Sequence, residues 1–157
     1  MEAVRPAVPE DGPRVEVLAG ELLAWVRSQR GGVQLLGPPG RPVPAYLGHA
    51  TLGEVLADPG RRVLVGTLEG VVTAVAACHV DERPDGRWGV LDGCYVEEAA
   101  RGVGLGHLLA STALGWLRDE GCAGVDGVAL PGDRAAKQFF ESAGLKARLL
   151  TMHRAFD

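Results

Sequence analysis

The chain has 157 residues, 46% hydrophobic and 23% charged, so it is predicted to fold as one globular domain over residues 1–157 rather than remain disordered. Its formal net charge of −4 provides no attraction to nucleic acid or to an anionic membrane, and neither is expected as a partner. Three cysteines without a C-x-x-C pair indicate neither a disulfide framework nor a zinc site, and no secretory signal pattern is present, so we expect no metal and a cytoplasmic location.

The first third of the chain is predicted to contain an edge strand, two helices and a long loop. Residues 3–8 are predicted to be a short edge strand, since Pro6 and Pro9 suit an edge or the ends of a strand. From Val15 onwards, apolar residues recur at steps of three and four, which is the pattern of one helical face. Residues 31–49, with Gly-Pro-Pro-Gly at their centre, are predicted to be a long loop of the kind that often carries function. Thr51 and Glu54 form a capping box that opens a second, short helix.

Strands and helices alternate along the rest of the chain. Strands are predicted at residues 62–67, 71–80, 88–96, 125–130 and 147–156. Amphipathic helices separate the last three of these strands, and they end near Gly121 and Gly144. A helical crossover between the strand that ends at Val96 and the strand that starts at Val125 requires these two strands to be parallel. The prediction is therefore an α/β domain with a mixed, mostly antiparallel sheet.

A glycine-rich segment, Arg101-Gly-Val-Gly-Leu-Gly106, lies between the end of a strand and the start of a helix. The first turn of a helix carries free N–H groups and a partial positive charge, and glycines let a pyrophosphate approach them. Arg101 adds a cation at the mouth of the loop. A dinucleotide fingerprint would need glycine where His107 or Leu109 stands, and no Gly-Lys-Ser/Thr occurs. The alternative is a glycine-rich turn that binds nothing.

Two motifs resemble the GNAT superfamily of N-acetyltransferases. The first, similar to the family's acetyl-CoA motif, is Val96-x-x-x-x-Arg101-x-x-Gly104-x-Gly106. The second, similar to the family's late helix N-x-x-A-x-x-F-Y-x-x-x-G-F, is Asp133-x-x-Ala136-x-x-Phe139-Phe140-x-x-x-Gly144-Leu145. The order of predicted elements agrees with the family over residues 3–156.

The resemblance implies an acetyl-CoA site and a sheet that is flanked by helices and splayed between its fourth and fifth strands. Pantetheine would lie in this opening and pair with backbone groups around Tyr95 and Val96. Asp133 would touch the pantetheine arm and Lys137 the nucleotide phosphates. The pyrophosphate would sit on the N–H groups of Gly102, Val103, Gly104, Leu105 and Gly106.

The resemblance also implies transfer of an acetyl group from acetyl-CoA to a primary amine of a small molecule or peptide. The reaction needs a base for the ammonium and a donor for the oxyanion. A backbone N–H near Val96 is the expected oxyanion donor. Asp92 is the candidate base, because strand alternation would place it on the face of Val96, and the family commonly places an acid or histidine base on this strand. Alternatively, Asp92 orients a cationic substrate or has a structural role.

The chain departs from the family where Phe140 replaces the usual tyrosine of the late helix, which leaves the general acid open. Tyr46 in the long loop and Tyr95 are the remaining tyrosines. Cys94 could carry a covalent acetyl group, although a buried structural cysteine is the more common case, and His79 is either a proton shuttle or a structural histidine. The alternative to an enzyme is a non-catalytic acyl-CoA-binding or sensor domain. A homodimer is also open, because dimers are common in the family.

Overall fold

A computed structural model of the chain describes residues 1–37 and 51–156. The described residues form five strands and five α-helices. In chain order these are β1 Glu2–Pro6, α1 Gly12–Ser28, α2 Gly32–Leu36, α3 Leu52–Ala57, β2 Arg61–Leu68, β3 Val71–Arg83, β4 Gly86–Val96, α4 Leu105–Asp119, β5 Val125–Gly127 and α5 Arg134–Ser142.

The five strands form one sheet in the order β1-β2-β3-β4-β5. Neighbours are antiparallel from β1 to β4, whereas β5 runs parallel to β4 after the α4 crossover. Pairing between β4 and β5 ends at Leu91 and Gly127, yet β4 continues to Val96. The outer edge of β4 from Cys94 to Val96 therefore borders an opening, which we call the gap. The predicted mixed, splayed α/β sheet is confirmed.

Both faces of the sheet are covered by helices. The face that meets α4 is built around the buried residues Leu64, Ala74, Ala76, Cys78, Leu91, Leu105, Leu109, Ala113 and Leu117. The face that meets α1 and α3 is built around Val15, Leu18, Val55, Val63, Val65, Val75 and Ala77. Successive residues of β3 alternate between these two clusters, as expected of a central strand that is buried on both sides.

Local sequence signals position the helices as predicted. In α4, Leu105, Leu109, Ala113 and Leu117 recur every four residues and are all buried. The capping box of α3 is present: the Thr51 side chain accepts a hydrogen bond from the Glu54 N–H at 3.2 Å, and Glu54 Oε2 accepts one from the Thr51 N–H at 3.1 Å.

Two predicted elements differ from the structure. Part of the predicted long loop is helical, because α2 occupies Gly32–Leu36; residues 38–50, including Tyr46, lie outside the described residues. The predicted strand at residues 147–156 is wrong, since this segment joins no ladder and its apolar side chains, such as Leu149 at 76% exposure, face solvent. The physical reason is the lack of a partner: β5 has three residues rather than the predicted six, so it offers little edge to pair with.

Candidate functional site

The glycine-rich loop lies where the sequence places it, between the end of β4 and the start of α4. Gly102 and Gly104 both have φ of +87°, in the left-handed region that glycine adopts without strain. An added Cβ at either position would meet no heavy atom within 4 Å, so the space over these residues is open. The backbone conformation of the loop therefore depends on glycine, and its surface is uncovered.

The first turn of α4 presents free amides at this loop. Gly104 is the N-cap, and no side chain among the described residues caps the helix there. The first bond of the helix runs from the Leu108 N–H to the Gly104 carbonyl at 3.0 Å. The preceding helical N–H groups have no intrahelical acceptor, and they carry the positive end of the helix dipole. This arrangement suits an anion such as a pyrophosphate.

Gly106 is required neither by backbone conformation nor by packing. Its φ is not positive, and an added Cβ would make ordinary contacts, 3.5 Å from Val96 Cγ2 and 3.8 Å from Phe139 Cε2. A third glycine here therefore has no explanation within the folded chain. Close approach of a ligand to the backbone would explain it.

Arg101 connects the loop to the end of β4. Its Nε donates a hydrogen bond to the Val96 carbonyl at 2.9 Å, and its guanidinium carbon lies 5.6 Å from the centre of the Tyr95 ring. The Arg101 side chain is exposed, so its charge is available at the mouth of the loop.

The backbone register shows which groups of β4 point into the gap. The Glu97 N–H donates to the Thr73 carbonyl at 2.9 Å, just beyond the paired residues Ala74 and Val96. In an antiparallel ladder this pattern makes Ala74 and Val96 a non-hydrogen-bonded pair. The N–H and carbonyl of Val96 therefore point away from β3. That side of β4 is the gap, as the predicted oxyanion donor requires.

The same register determines which residues of β4 could offer backbone groups to pantetheine in the gap. Because hydrogen-bonded and non-hydrogen-bonded pairs alternate, Tyr95 and Val75 form a hydrogen-bonded pair, which turns the backbone groups of Tyr95 towards β3. The next residue whose backbone points into the gap is Cys94. The predicted backbone contact of Tyr95 with pantetheine does not fit this register, whereas the backbone groups of Cys94 and Val96 point into the gap; a contact of pantetheine with this strand stays a prediction.

A β-bulge interrupts β4 just before the gap. Ala77 lies opposite Gly93, but the next residue of β3, Cys78, lies opposite Leu91, so Asp92 is the inserted residue. A bulge breaks the alternation of side chains along its strand. Leu91 packs into the α4 cluster, whereas Gly93, two residues later, faces α1.

The bulge moves Asp92 to the opposite face from the one predicted. Cys94 and Val96 pack against the α4 cluster. Asp92 Oδ2 instead lies 2.9 Å from Nδ1 of His79. His79 is on the α1 face, because both of its neighbours in β3 pack on the α4 side. The prediction that Asp92 shares a face with Val96 is therefore wrong, while the role of Asp92 as base stays a prediction.

Comparison with known proteins agrees with this geometry. A family model described as the acetyltransferase (GNAT) family matches residues 21–145, a range that includes the loop, the gap and α5. The chain belongs to the GNAT acetyltransferase family. Enzymes of this family use acetyl-CoA, the cosubstrate that the sequence predicts.

Solved structures share the fold at low sequence identity. The tetramutant of the BH1408 protein from Bacillus halodurans has a TM-score of 0.79 at 18% identity, over 98% of this chain and 99% of that chain. A predicted acetyltransferase from Clostridium acetobutylicum, solved with acetyl-CoA, has a TM-score of 0.72 at 15% identity, over 98% and 96%. The aminoglycoside acetyltransferase meta-AAC0020 from an uncultured soil metagenomic sample was solved with sisomicin. Its TM-score is 0.71 at 16% identity, over 99% of this chain and 95% of that chain. A comparison with curated proteins finds no match.

The described residues form neither a metal-binding group nor a membrane-spanning helix. Within residues 1–37 and 51–156, no three His, Cys, Asp or Glu side chains come together as a metal-binding group would require. In the same ranges, no helix combines the length and apolar character needed to cross a bilayer.

The cysteines near the site of this GNAT protein are protonated at neutral pH. Burial raises the pKa of Cys94 to about 12. Burial, followed by the nearby negative charge of Asp92, raises the pKa of Cys78 to about 12. A thiol at such a pKa provides almost no thiolate. This disfavours a covalent acetyl-cysteine.

Tyr95 is a weak candidate for the missing general acid. Burial, and then the hydrogen bond of its hydroxyl with Glu21 of α1, raise its pKa above the ordinary value. Its ring packs against the α1 cluster, away from the side chain of Val96. The tyrosine therefore contributes packing on the α1 side.

Asp133 has a structural role. It is 5% exposed; its Oδ1 accepts a hydrogen bond from the Ala136 N–H at 3.1 Å, and its Oδ2 accepts one from Trp25 Nε1 at 3.1 Å. Asp133 thus caps α5 and connects it to α1, with little surface left for the predicted pantetheine contact. Lys137 is 63% exposed, and its Nζ is 3.9 Å from Oε1 of Glu141, so its ammonium remains accessible to a phosphate.

Phe140 fills the position of the family tyrosine with an apolar contact. An added Cβ at Gly127 would lie 2.5 Å from Phe140 Cε1, so the ring packs directly on the last residue of β5. It also makes an edge contact with Phe139 at 5.5 Å between ring centres. The missing hydroxyl is therefore replaced by packing where the sheet opens.

Proposed function

We propose that this GNAT acetyltransferase transfers the acetyl group of acetyl-CoA to a primary amine of a small molecule or peptide, by direct attack through a tetrahedral intermediate. The observation that carries the proposal is the continuity of two sites. Uncovered amides at the start of α4 suit a pyrophosphate, and the backbone of Val96 points into the adjoining gap.

In this proposal each part of acetyl-CoA has chain atoms to bind. The pyrophosphate accepts hydrogen bonds from backbone N–H groups of residues 102–106, with Arg101 and Lys137 supplying positive charge. Pantetheine lies in the gap and pairs with the backbone of Cys94 and Val96. These contacts hold the thioester beside β4, and orientation of both reactants supplies part of the rate.

The chemistry uses two groups of β4. The Val96 N–H donates to the thioester oxygen as it becomes an oxyanion. Asp92, acting directly or through His79, removes the proton that keeps the amine from attacking. Solvent protonates the leaving thiolate, because Phe140 has no proton to donate.

A small amine acceptor is supported by two observations. The structural neighbour meta-AAC0020 is an aminoglycoside acetyltransferase that was solved with sisomicin, a small molecule. The formal net charge of −4 favours a cationic substrate over an anionic one.

The second candidate function is a sensor that binds acyl-CoA without turnover, and the presence of Phe140 favours it. Thermal unfolding with and without CoA, beside thiol release from acetyl-CoA with sisomicin, spermidine and a peptide with a free N-terminus, separates the two. Stabilisation together with amine-dependent thiol release supports the enzyme. Stabilisation without release on any amine contradicts it in favour of the sensor, and absence of any CoA effect contradicts both.

A further inference from the structure

We propose that the imidazole of His79 is the group that accepts the amine proton, and that Asp92 is the positioning residue that orients it. The inference rests on the acetyl transfer proposed above. It assigns proton acceptance to His79 and orientation of the imidazole to Asp92.

The hydrogen bond between the two side chains determines the form of the imidazole. Nδ1 of His79 lies 2.9 Å from Oδ2 of Asp92. An ionised carboxylate can only accept a hydrogen bond, so Nδ1 carries the proton when the imidazole is neutral. The lone pair is then on Nε2, the ring nitrogen that does not face Asp92, where it can accept a proton.

The bulge in β4 creates this pair. With regular alternation, Asp92 would lie on the side of Cys94 and Val96, where a carboxylate would be buried in the apolar α4 cluster. The inserted residue turns the carboxylate to the α1 face, where it meets His79. Bulges commonly re-aim a side chain next to an active site.

The pair lies on the part of β3 and β4 that precedes the gap, and both side chains are partly exposed. Asp92 directly follows Leu91, the last residue of β4 that pairs with β5. His79 lies on the neighbouring strand, opposite Val90, at one strand spacing of about 5 Å. The side chains of His79 and Asp92 are 23% and 18% exposed, so they are partly shielded but open to a substrate.

Two other charged residues on this face, Arg61 and Asp81, have partners of their own. Arg61 lies opposite His79 on β2, with its Nε 3.6 Å from Asp58. Asp81, two residues further along β3, bonds to Arg83 at 2.8 Å.

From the helical side, α1 covers this part of the sheet with apolar residues. Ala19, Leu22 and Leu23 line a cavity of about 20 Å³ together with Gly93. Glu21, an acidic residue of α1, shares a hydrogen bond with the Tyr95 hydroxyl. Asp92 is therefore the anion that bonds to the imidazole.

One histidine is sufficient to balance the protons of the reaction. Nε2 of His79 takes one proton from R–NH3⁺, and the freed lone pair of the amine forms a bond to the thioester carbon. The tetrahedral intermediate collapses by breaking the C–S bond, and CoA leaves as thiolate. The proton on the new amide nitrogen passes to that thiolate through solvent, and His79 releases its proton to solvent, which restores the neutral imidazole.

The test combines kinetics and NMR on the full chain. With whichever of sisomicin, spermidine or the peptide turns over fastest, we expect His79→Ala and His79→Gln to lower kcat/KM by on the order of 10²-fold or more. Stabilisation of both variants by CoA should stay unchanged. Imidazole added to the buffer should raise the activity of His79→Ala at least tenfold. The matched control His153→Ala, in the exposed segment after α5, should keep its activity and gain nothing from imidazole.

The tautomer of His79 distinguishes the residue that accepts the proton from the residue that orients it. Long-range ¹H–¹⁵N spectra of the wild type should show His79 with its proton on Nδ1, a preference that Asp92→Ala should remove.

Three results would overturn the assignment. One is His79→Ala within threefold of wild-type kcat/KM while Asp92→Asn loses activity a hundredfold, which makes Asp92 the direct base. Another is a neutral His79 with its proton on Nε2. The third is a wild-type protein that binds CoA but turns over no amine, which contradicts the proposed acetyl transfer as well, whereas the first two leave that proposal intact.

Discussion

At the scale of single residues, two glycines of the loop have different explanations: one is needed for the fold and the other for binding. Gly104 has a left-handed backbone, whereas Gly106 has neither a positive φ nor a close contact that excludes a side chain. One glycine is thus explained by the fold, and the other only by a ligand that approaches the backbone. This difference can be measured.

Gly104→Glu should abolish CoA binding, because the side chain would fill the phosphate site and add negative charge. The matched control is Gly70→Glu in the turn between β2 and β3, where φ is +81° and the surroundings are equally open. Both variants should lose about 1–2 kcal/mol of unfolding free energy through backbone strain. Only Gly70→Glu should retain thermal stabilisation by CoA, and a folded Gly104→Glu protein with wild-type CoA affinity would exclude this loop as the site.

Asp126 on β5 makes stability depend on pH. Hydrogen bonds from Arg148, and then from Arg83, lower its pKa from 3.8 to about 2. A carboxyl group whose pKa is lowered in the folded state stabilises the fold fully above pH 3.8, and the stabilisation disappears as the pH falls through about 2.

We therefore expect Asp126→Asn to lower the unfolding free energy by about 1 kcal/mol at pH 7, since Arg148 is largely exposed and solvent weakens the pair. The difference from wild type should vanish near pH 2, as measured by urea denaturation. Asp119→Asn, at an exposed position on α4, is the control and should change little. An equal deficit for Asp126→Asn at pH 2 and pH 7 would refute the ionic explanation.

At the scale of elements, the contact between α4 and the sheet determines where the free amides lie. An added Cβ at Gly66 of β2 would come within 2.9 Å of Leu105 Cδ1 and 3.0 Å of Ala74 Cβ. Leu105, the first residue of α4, is 1% exposed, so it can move aside only if its neighbours repack. The small residue on β2 thus holds the start of the helix close to the sheet.

Gly66→Ala should destabilise the fold by about 1–3 kcal/mol through overpacking and should also weaken CoA binding, because Leu105 is displaced. Gly115→Ala is the matched control, since an added Cβ on that face of α4 meets nothing within 4 Å. It should stabilise the protein by about 0.5–1 kcal/mol through helix propensity. Thermal unfolding with and without CoA measures both effects, and a neutral Gly66→Ala would show that α4 is not packed this tightly.

At the scale of the whole molecule, the bond between Trp25 and Asp133 connects two helices from distant parts of the chain. It joins α1, which covers β3 and β4, to α5, which follows β5. Since only three residue pairs link β4 and β5, this bond is a further connection between the two parts of the fold. Asp133 accordingly stabilises the fold as a helix cap and as a connection between helices.

Asp133→Ala should lower the unfolding free energy by about 1–2 kcal/mol, through the lost cap and the lost bond to Trp25. Trp25→Phe, which removes only the indole donor and part of the ring, should lose less. If the role of Asp133 is structural, calorimetry should show CoA affinity within twofold of wild type for both variants. A tenfold loss of affinity in folded Asp133→Ala would instead support the pantetheine contact that the family resemblance implies.

Local patterns were sufficient for most of the fold. Helices α1, α3, α4 and α5 follow from apolar spacing and capping residues, and the parallel pair follows from the helical crossover between β4 and β5. The phosphate loop also follows from local rules, because free amides at a helix start and glycine conformations depend on adjacent residues. The strand expected at residues 147–156 failed because a strand needs a partner edge, and β5 is too short to provide one.

Long-range pairing decided the chemistry of the site. A glycine inside a strand, such as Gly93, is compatible with a bulge. Whether and where a residue is inserted is nevertheless a property of the register between β3 and β4 rather than of either strand alone. That register directs the Val96 amide into the gap and turns the Asp92 carboxylate to His79. The chain alone thus predicts where a pyrophosphate is held, since a helix start is local, whereas the base depends on which residues of two distant segments lie side by side.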